Sequence, residues 1–202
     1  MSVHEAKRSS AGIPVKKSAA DRLCETATGL FYKHGIRAVG VDEIVTETGV
    51  TKPTLYRSFA SKDDLVSVCL RMQIEEGNKR WDEIAVQFAD DPAAQMRAQI
   101  ASFAAEIAAP DYRGCAATNA AVEFPDPSHP ARMITEDCKA SLRKRMTTLT
   151  RRLKIKNPDG LADGLILLIE GASSSRHTSG SQGPASTLIT TAEMLILAYL
   201  AA

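Results

Sequence analysis

Apolar residues return at steps of three and four along most of the chain, and nowhere do they alternate with polar ones in the two-residue rhythm of a half-buried strand. Ala20, Leu23, Cys24, Ala27, Leu30 and Phe31 fall on one face of a helix that starts near Ser18 and stops at Gly35. Val41, Ile44 and Val45 mark a short second helix, closed by Gly49. A third begins almost at once: Thr51 is placed to cap it, Pro53 is tolerated in its first turn, and Leu55 with Phe59 gives it a buried side. Ser61-Lys62-Asp63-Asp64 resembles a capping box with Asp in place of Glu, and Leu65, Val66, Val68, Cys69 and Met72 carry a long fourth helix towards Phe88.

After Asp90-Asp91-Pro92, the positions Met96, Ile100, Phe103, Ala104 and Ile107 predict another amphipathic helix that ends before Pro110. The three prolines between Pro125 and Pro130 require a connection. A charged helix is expected over about 131–155, then a turn through Lys156-Asn157-Pro158-Asp159-Gly160. Leu161, Leu165, Leu168 and Ala172 mark the next helix, and a Ser/Gly-rich break over 179–184 precedes a last one with Leu188, Ala192, Leu195 and Tyr199 on one face. About nine helices without an internal repeat make the expected fold all-α.

Composition adds exclusions. Of 202 residues, 44% are hydrophobic and only 5% aromatic, which fits a globular helical chain and not an all-β one. No apolar run reaches the roughly 20 residues of a membrane span. No signal-type apolar segment follows the basic residues near the start, so the expected location is cytoplasmic and no membrane partner is expected. Cys24, Cys69, Cys115 and Cys138 lie far apart, which points to reduced thiols and away from a zinc site or a disulfide framework. His4, His34, His129 and His177 are isolated, and no G-x-S-x-G, Gly-rich phosphate loop or H-E-x-x-H occurs. No catalytic residue, cofactor or metal is expected.

The net charge of +1 hides a division, because residues 1–62 carry +4 and residues 63–202 carry −3. A basic N-terminal third fits an encounter with a polyanion. Residues 1–17 lack apolar periodicity and read as a flexible basic arm. Val41 to Gly49 followed by Val50 to Phe59 has the form of a helix-turn-helix. With Leu55 and Phe59 turned inward, Lys52, Pro53, Thr54, Tyr56 and Arg57 are left outside, a set of donors, cations and an aromatic suited to base edges and phosphates. Lys62 and the start of the fourth helix can also meet a phosphate. On spacing alone, a solvated helix face would look the same.

The runs Phe31, Gly35-Ile36-Arg37-Ala38-Val39-Gly40-Val41-Asp42-Glu43-Ile44 and Thr48-Gly49-Val50-Thr51-Lys52-Pro53-Thr54-Leu55-Tyr56-Arg57-Ser58-Phe59-Ala60-Ser61-Lys62-Asp63-Asp64-Leu65 resemble the DNA-binding domain of TetR-family transcriptional regulators. The resemblance implies a three-helix DNA-binding domain over 18–62 and a helical ligand-binding and dimerisation domain over 63–202. It further implies a homodimer, joined through the last two helices, that binds a pseudo-palindromic double-stranded DNA operator. Such a regulator, by default a repressor, is released when a small-molecule effector binds. Carried over by position, Lys52, Pro53 and Arg57 would face base edges, and Thr54, Tyr56 and Lys62 the phosphate backbone. Gly40 departs from the pattern, since the family often has Ser or Thr there. The alternative reading is a helical protein-interaction or nonspecific DNA-binding module without an effector.

A second, shorter resemblance to one subset of the family is carried by Arg113-Gly114-Cys115 with Asn119, Glu123, Asp126, His129 and Pro130. It implies the junction of helices six and seven that moves when a ligand binds. Expected effector-site residues are Met72, Trp81, Met96, Phe103, Phe124 and Met133, with Asn119, Glu123 and His177 as polar candidates. The same apolar spacing also suits plain core packing. Cys115 beside Arg113 is a candidate thiol for oxidants or electrophiles, with packing as its other role. Gly171, Ala172, Ser173, Ser174 and Ser175, with the stripe Leu188, Ala192, Leu195 and Tyr199, are expected at the dimer surface, although such stripes could instead close the monomer's own core.

Overall fold

The computed structural model describes residues 17–201, so the arm expected over 1–17 lies, apart from Lys17, outside the described residues. Ser18 starts α1 (Ala19–His34): its hydroxyl accepts from the Asp21 amide at 3.1 Å while the Asp21 carboxylate accepts from the Ser18 amide at 3.0 Å. Two amides that the helix cannot pair are satisfied in this way. Gly49 closes α2 (Val41–Thr48) at φ +69°, a left-handed conformation that glycine adopts without a Cβ penalty. α3 (Lys52–Ser58) follows directly. Ser61 caps the 26-residue α4 (Lys62–Gln87) by accepting from the Asp64 amide, while the Asp64 carboxylate reaches back to the Ala60 amide, one residue beyond the expected box.

α4 ties together two apolar cores. In the first, Leu65, Val66 and Cys69 of α4 pack with Leu23, Phe31, Ile44, Leu55 and Phe59. Ala120 of α6 (Ala116–Glu123) and Ala131 and Ile134 of α7 (Pro130–Arg151) belong to the same core. In the second, Trp81 of α4 meets Met96 and Ile100 of α5 (Pro92–Ala108) and Met146 of α7. Leu161 and Leu165 of α8 (Pro158–Ser179) and Ile196 of α9 (Leu188–Leu200) complete it. Nine α-helices and a single 3-10 turn make up the ordered elements of the described residues, with no strand among them. The fold is all-α. A boundary after residue 62 falls in the first turn of α4, and the first core draws on both sides of it.

Three expectations need correction. α7 stops at Arg151, short of residue 155, because Leu153 and Lys154 bond back only three residues and Lys154 turns left-handed at φ 56°. Pro158-Asp159-Gly160 is the first turn of α8, with Asn157 accepting from the Gly160 amide at 3.0 Å and Pro158 needing no partner in that position. The stripe expected at the dimer surface faces inward: Leu188 and Ala192 are buried, and Leu195 and Tyr199 pack against the second core. Gly164 permits that approach, since a Cβ there would stand 2.9 Å from Leu195 Cδ2. The apolar residues that α8 and α9 leave outside include Leu167, Ile189, Met194 and Leu197, each more than half exposed. No helix among the described residues is long and apolar enough to cross a membrane.

Candidate functional site

Leu55 is fully buried and Phe59 nearly so, which fixes the rotation of α3. Burying a leucine side chain is worth about 2 kcal/mol. That rotation turns Lys52, Pro53, Tyr56 and Arg57 to solvent and leaves Thr54 half-buried. Thr51 stands at the N-cap but makes no capping bond; its hydroxyl pairs with that of Thr54 at 3.0 Å. Lys52 Nζ lies 2.7 Å from Asp42 Oδ1 at the start of α2, and the Asp42 carboxylate raises the lysine above its ordinary value. Arg57 has no ion pair or hydrogen bond among the described residues. Gly40 caps α2 without a side chain, which leaves the first amides of that helix open to solvent or an anion.

Lys62 departs from its expected place. Its Nζ donates to the Ile36 carbonyl at 2.6 Å and lies 5.9 Å from the centre of the Phe31 ring. Burial lowers its pKa, against the opposing pull of Asp63 and Glu123. The cause is the turn between α1 and α2, whose Ile36 carbonyl has no helical partner and recruits the amine.

The same turn is held by α6. Glu123 Oε1 and Oε2 accept the amides of Ile36 and Arg37 at 2.9 and 2.7 Å. Gly35, at φ +87°, lies so close that a Cβ there would meet Glu123 Oε1 at 3.4 Å. One turn earlier, the Tyr32 hydroxyl accepts from the Arg113 amide at 2.8 Å and donates to the Gly114 carbonyl at 3.2 Å. Asn119 donates to the Arg113 carbonyl at 2.9 Å, and Phe124 stacks on His129 with ring centres 4.0 Å apart. Asn119, Glu123 and Phe124 therefore belong to the joint between α1 and α6. Asn119 and Glu123 border only a crevice of about 20 Å³, room for a single water.

A cavity of about 340 Å³ opens on the other side of Gly114 and Cys115, among α4, α5, α7 and α8. This is within the size range of small-molecule sites. It brings together three of the expected residues, Trp81, Phe103 and Cys115. The others are placed elsewhere. Met96 is fully buried in the second core. Met72 is turned out by the inward stripe of α4 through Leu70, Gln73, Gly77 and Trp81. Met133 likewise falls off the inward stripe of α7, and His177 is exposed in the last turn of α8. Among the described residues no three His, Cys, Asp or Glu side chains converge on a metal position.

Among the lining residues that sequence reasoning did not pick out are Gln99, Tyr112, Lys139, Glu170 and Ser173. One of them leaves a signal, since Gln99 interrupts the apolar stripe of Met96, Ile100 and Phe103 and is only 2% exposed. Lys139 sits between Glu170, with which it pairs, and Cys115, whose Sγ is 3.5 Å from Nζ. Burial pulls this lysine down, but Cys115 and Glu170 outweigh it and the net shift is upward. Burial also pushes the Tyr112 hydroxyl up to about 12, so it remains a neutral donor.

Comparison with known proteins agrees with this layout. Residues 23–69 match the family described as bacterial regulatory proteins, tetR family. The Tn10 TetC protein of Escherichia coli is 38% identical over 58 residues, 29% of each chain. The HTH-type transcriptional activator FasR of Mycolicibacterium smegmatis is 37% identical over 54 residues, 27% of this chain and 25% of that protein. These matches thus span under a third of either relative's length. A TetR-family transcriptional regulator from Streptomyces coelicolor superposes with a TM-score of 0.86 at 29% identity, covering 90% of this chain and 96% of that one. Residues 23–69 thus carry the helix-turn-helix of the tetR family of bacterial regulatory proteins, and the chain along nearly its whole length is similar in fold to a TetR-family transcriptional regulator.

Proposed function

We propose that this chain binds a pseudo-palindromic operator as a homodimer, represses transcription there, and is released when a small molecule fills the cavity. The observation that carries the reading is α3. Its buried Leu55 holds Pro53, Tyr56 and Arg57 in a fixed outward array, and Arg57 is uncommitted among the described residues. Lys52 joins that array by exchanging the Asp42 carboxylate for a base edge, and Thr54 and Tyr56 lie beside it for the phosphates. Exposed Leu167, Ile189, Met194 and Leu197 supply an apolar face for a second copy.

The cavity supports release because its wall is shared with the joint. Gly114 and Cys115 line it, and the Gly114 carbonyl holds Tyr32 of α1. A ligand that favours a different position of this wall has different affinity for two placements of the reading helices, and that difference is what weakens the operator.

The test is binding to DNA from upstream of the chain's own gene against random DNA of equal length at physiological salt. Preference for the upstream DNA that survives rising salt is the expected result. Equal affinity for every sequence, falling in parallel with salt, would reject sequence-specific regulation through that region in favour of a nonspecific module.

A further inference from the structure

The cavity has a chemistry of its own, and it points to a class of ligand. Three acidic and three basic side chains border it, and each is already paired. Arg80 bridges Glu106 at 3.1 Å and Glu76 at 3.6 Å, Lys139 pairs with Glu170, and Arg145 meets Asp82 at 2.6 Å. An ionised ligand would have to break one of these pairs or bring an unmatched charge out of water. Nothing in the wall offers it a spare countercharge among the described residues.

The uncharged polar groups are different, and in two places an existing bond fixes what is still on offer. Gln99 Nε2 donates to the Trp81 carbonyl at 2.9 Å. A carbonyl only accepts, so this bond fixes which way the amide points and leaves Oε1 as an acceptor without a partner among the described residues. The hydroxyls of Tyr112 and Ser173 lie 2.6 Å apart. One spends its proton on the other, which leaves one O–H of the pair to donate. Gln99 is some two and a half turns before the end of α5, and Tyr112 follows that end, so acceptor and donor are set apart along the direction of α5. Trp81 and Phe103 add aromatic surface to the same walls.

We propose that the cavity binds a neutral, flat, two-ring aromatic molecule that carries a hydroxyl or N–H, with its donor on Gln99 Oε1. This inference rests on the cavity being the effector site. Any second polar group, placed at the far end, is an acceptor for the Tyr112–Ser173 pair.

Trp81 is the chain's single tryptophan and lines the cavity, so its fluorescence reports occupancy directly. The full chain is titrated at neutral pH with 4-hydroxybiphenyl, biphenyl and biphenyl-4-carboxylate. The expected result is saturable binding of the phenol, about tenfold tighter than the carboxylate. Gln99→Leu should weaken the phenol about fivefold and leave biphenyl unchanged, the second ligand confirming that the variant's cavity is intact. Equal or tighter binding of the carboxylate, binding of none of the three, or phenol affinity indifferent to Gln99→Leu overturns the proposal. Operator affinity measured on the same samples separates the two readings. Phenol that fills the cavity without weakening DNA binding rejects the effector role and leaves the ligand class standing. A carboxylate that binds best and also releases DNA keeps the effector role and rejects the ligand class.

Discussion

The carboxylate of Glu123 accepts the backbone amide of Arg37 at 2.7 Å, so a side chain at the end of α6 holds the turn that leads into the helix-turn-helix. Its other oxygen takes the neighbouring Ile36 amide, and the Ile36 carbonyl is taken by Lys62. The turn thus has its polar groups satisfied from two helices outside it. With Tyr32 gripping residues 113 and 114, the joint has one contact at the cavity wall and another at the DNA-binding end.

Glu123→Ala removes two charge-assisted bonds at once and should destabilise the chain by about 2 kcal/mol, whereas Glu123→Gln keeps one acceptor and should cost roughly half of that. Chemical denaturation midpoints measure both. An alanine variant as stable as the parent would mean that the turn holds itself and that α6 is not its support.

Arg57→Ala should lower the affinity for operator by about 1–3 kcal/mol and change random-DNA binding little, because a base-edge contact is lost and the rest of the face remains. Lys62→Ala should act differently from a lost phosphate contact. It strands the Ile36 carbonyl and therefore lowers thermal stability. Competition binding with the two DNAs, beside a melting curve for each variant, checks the pair; equal loss on both DNAs from Arg57→Ala would contradict its base-reading role.

What was legible in the sequence follows from what the physics makes local. Helix periodicity, the glycine after α2 and the inward positions Leu55 and Phe59 all depend on neighbours within a turn, and the structure has them as expected. Thr51 was misjudged because a hydroxyl three residues on competes for it. The bonds of Lys62 and Glu123 to the α1–α2 turn were not legible because their partners lie 26 and 87 residues away, and no local pattern announces a long-range polar bond. The α9 stripe failed for a related reason: an amphipathic pattern says which face is apolar, not whether it meets its own core or a second copy. Of the cavity, the aromatic positions Trp81 and Phe103 were readable, while Lys139 and Glu170 looked like any other charges on helix surfaces.

Cysteine reactivity should single out one thiol. Burial raises the Cys24 and Cys138 thiols and pushes Cys69 up to about 12, and the thiolate is the form that reacts. Cys115 is half-buried on the cavity wall and reachable from it. A maleimide at neutral pH should modify Cys115 first, as read by peptide mass mapping, and a ligand in the cavity should slow that reaction. If Cys24 or Cys69 labels at the same rate, the cores that enclose them open more readily than their packing implies.

Acid should loosen the hold of α5 on α9. Arg97 grips Glu193 with two bonds of 2.7 Å, and those bonds hold the Glu193 carboxyl below its ordinary value of 4.5. A carboxyl with a depressed folded-state pKa adds stability that is fully present above the unfolded value and is lost as pH falls through the folded one. Both side chains are more than a third exposed or close to it, so the bridge contributes no more than about 1 kcal/mol. Glu193→Gln should therefore unfold slightly earlier than the parent at neutral pH, with the gap closing as pH drops below 4.5. Urea midpoints of parent and variant across that range give the measurement. A gap that stays constant down to the acid limit would assign the loss to packing of α9 instead of to the ion pair.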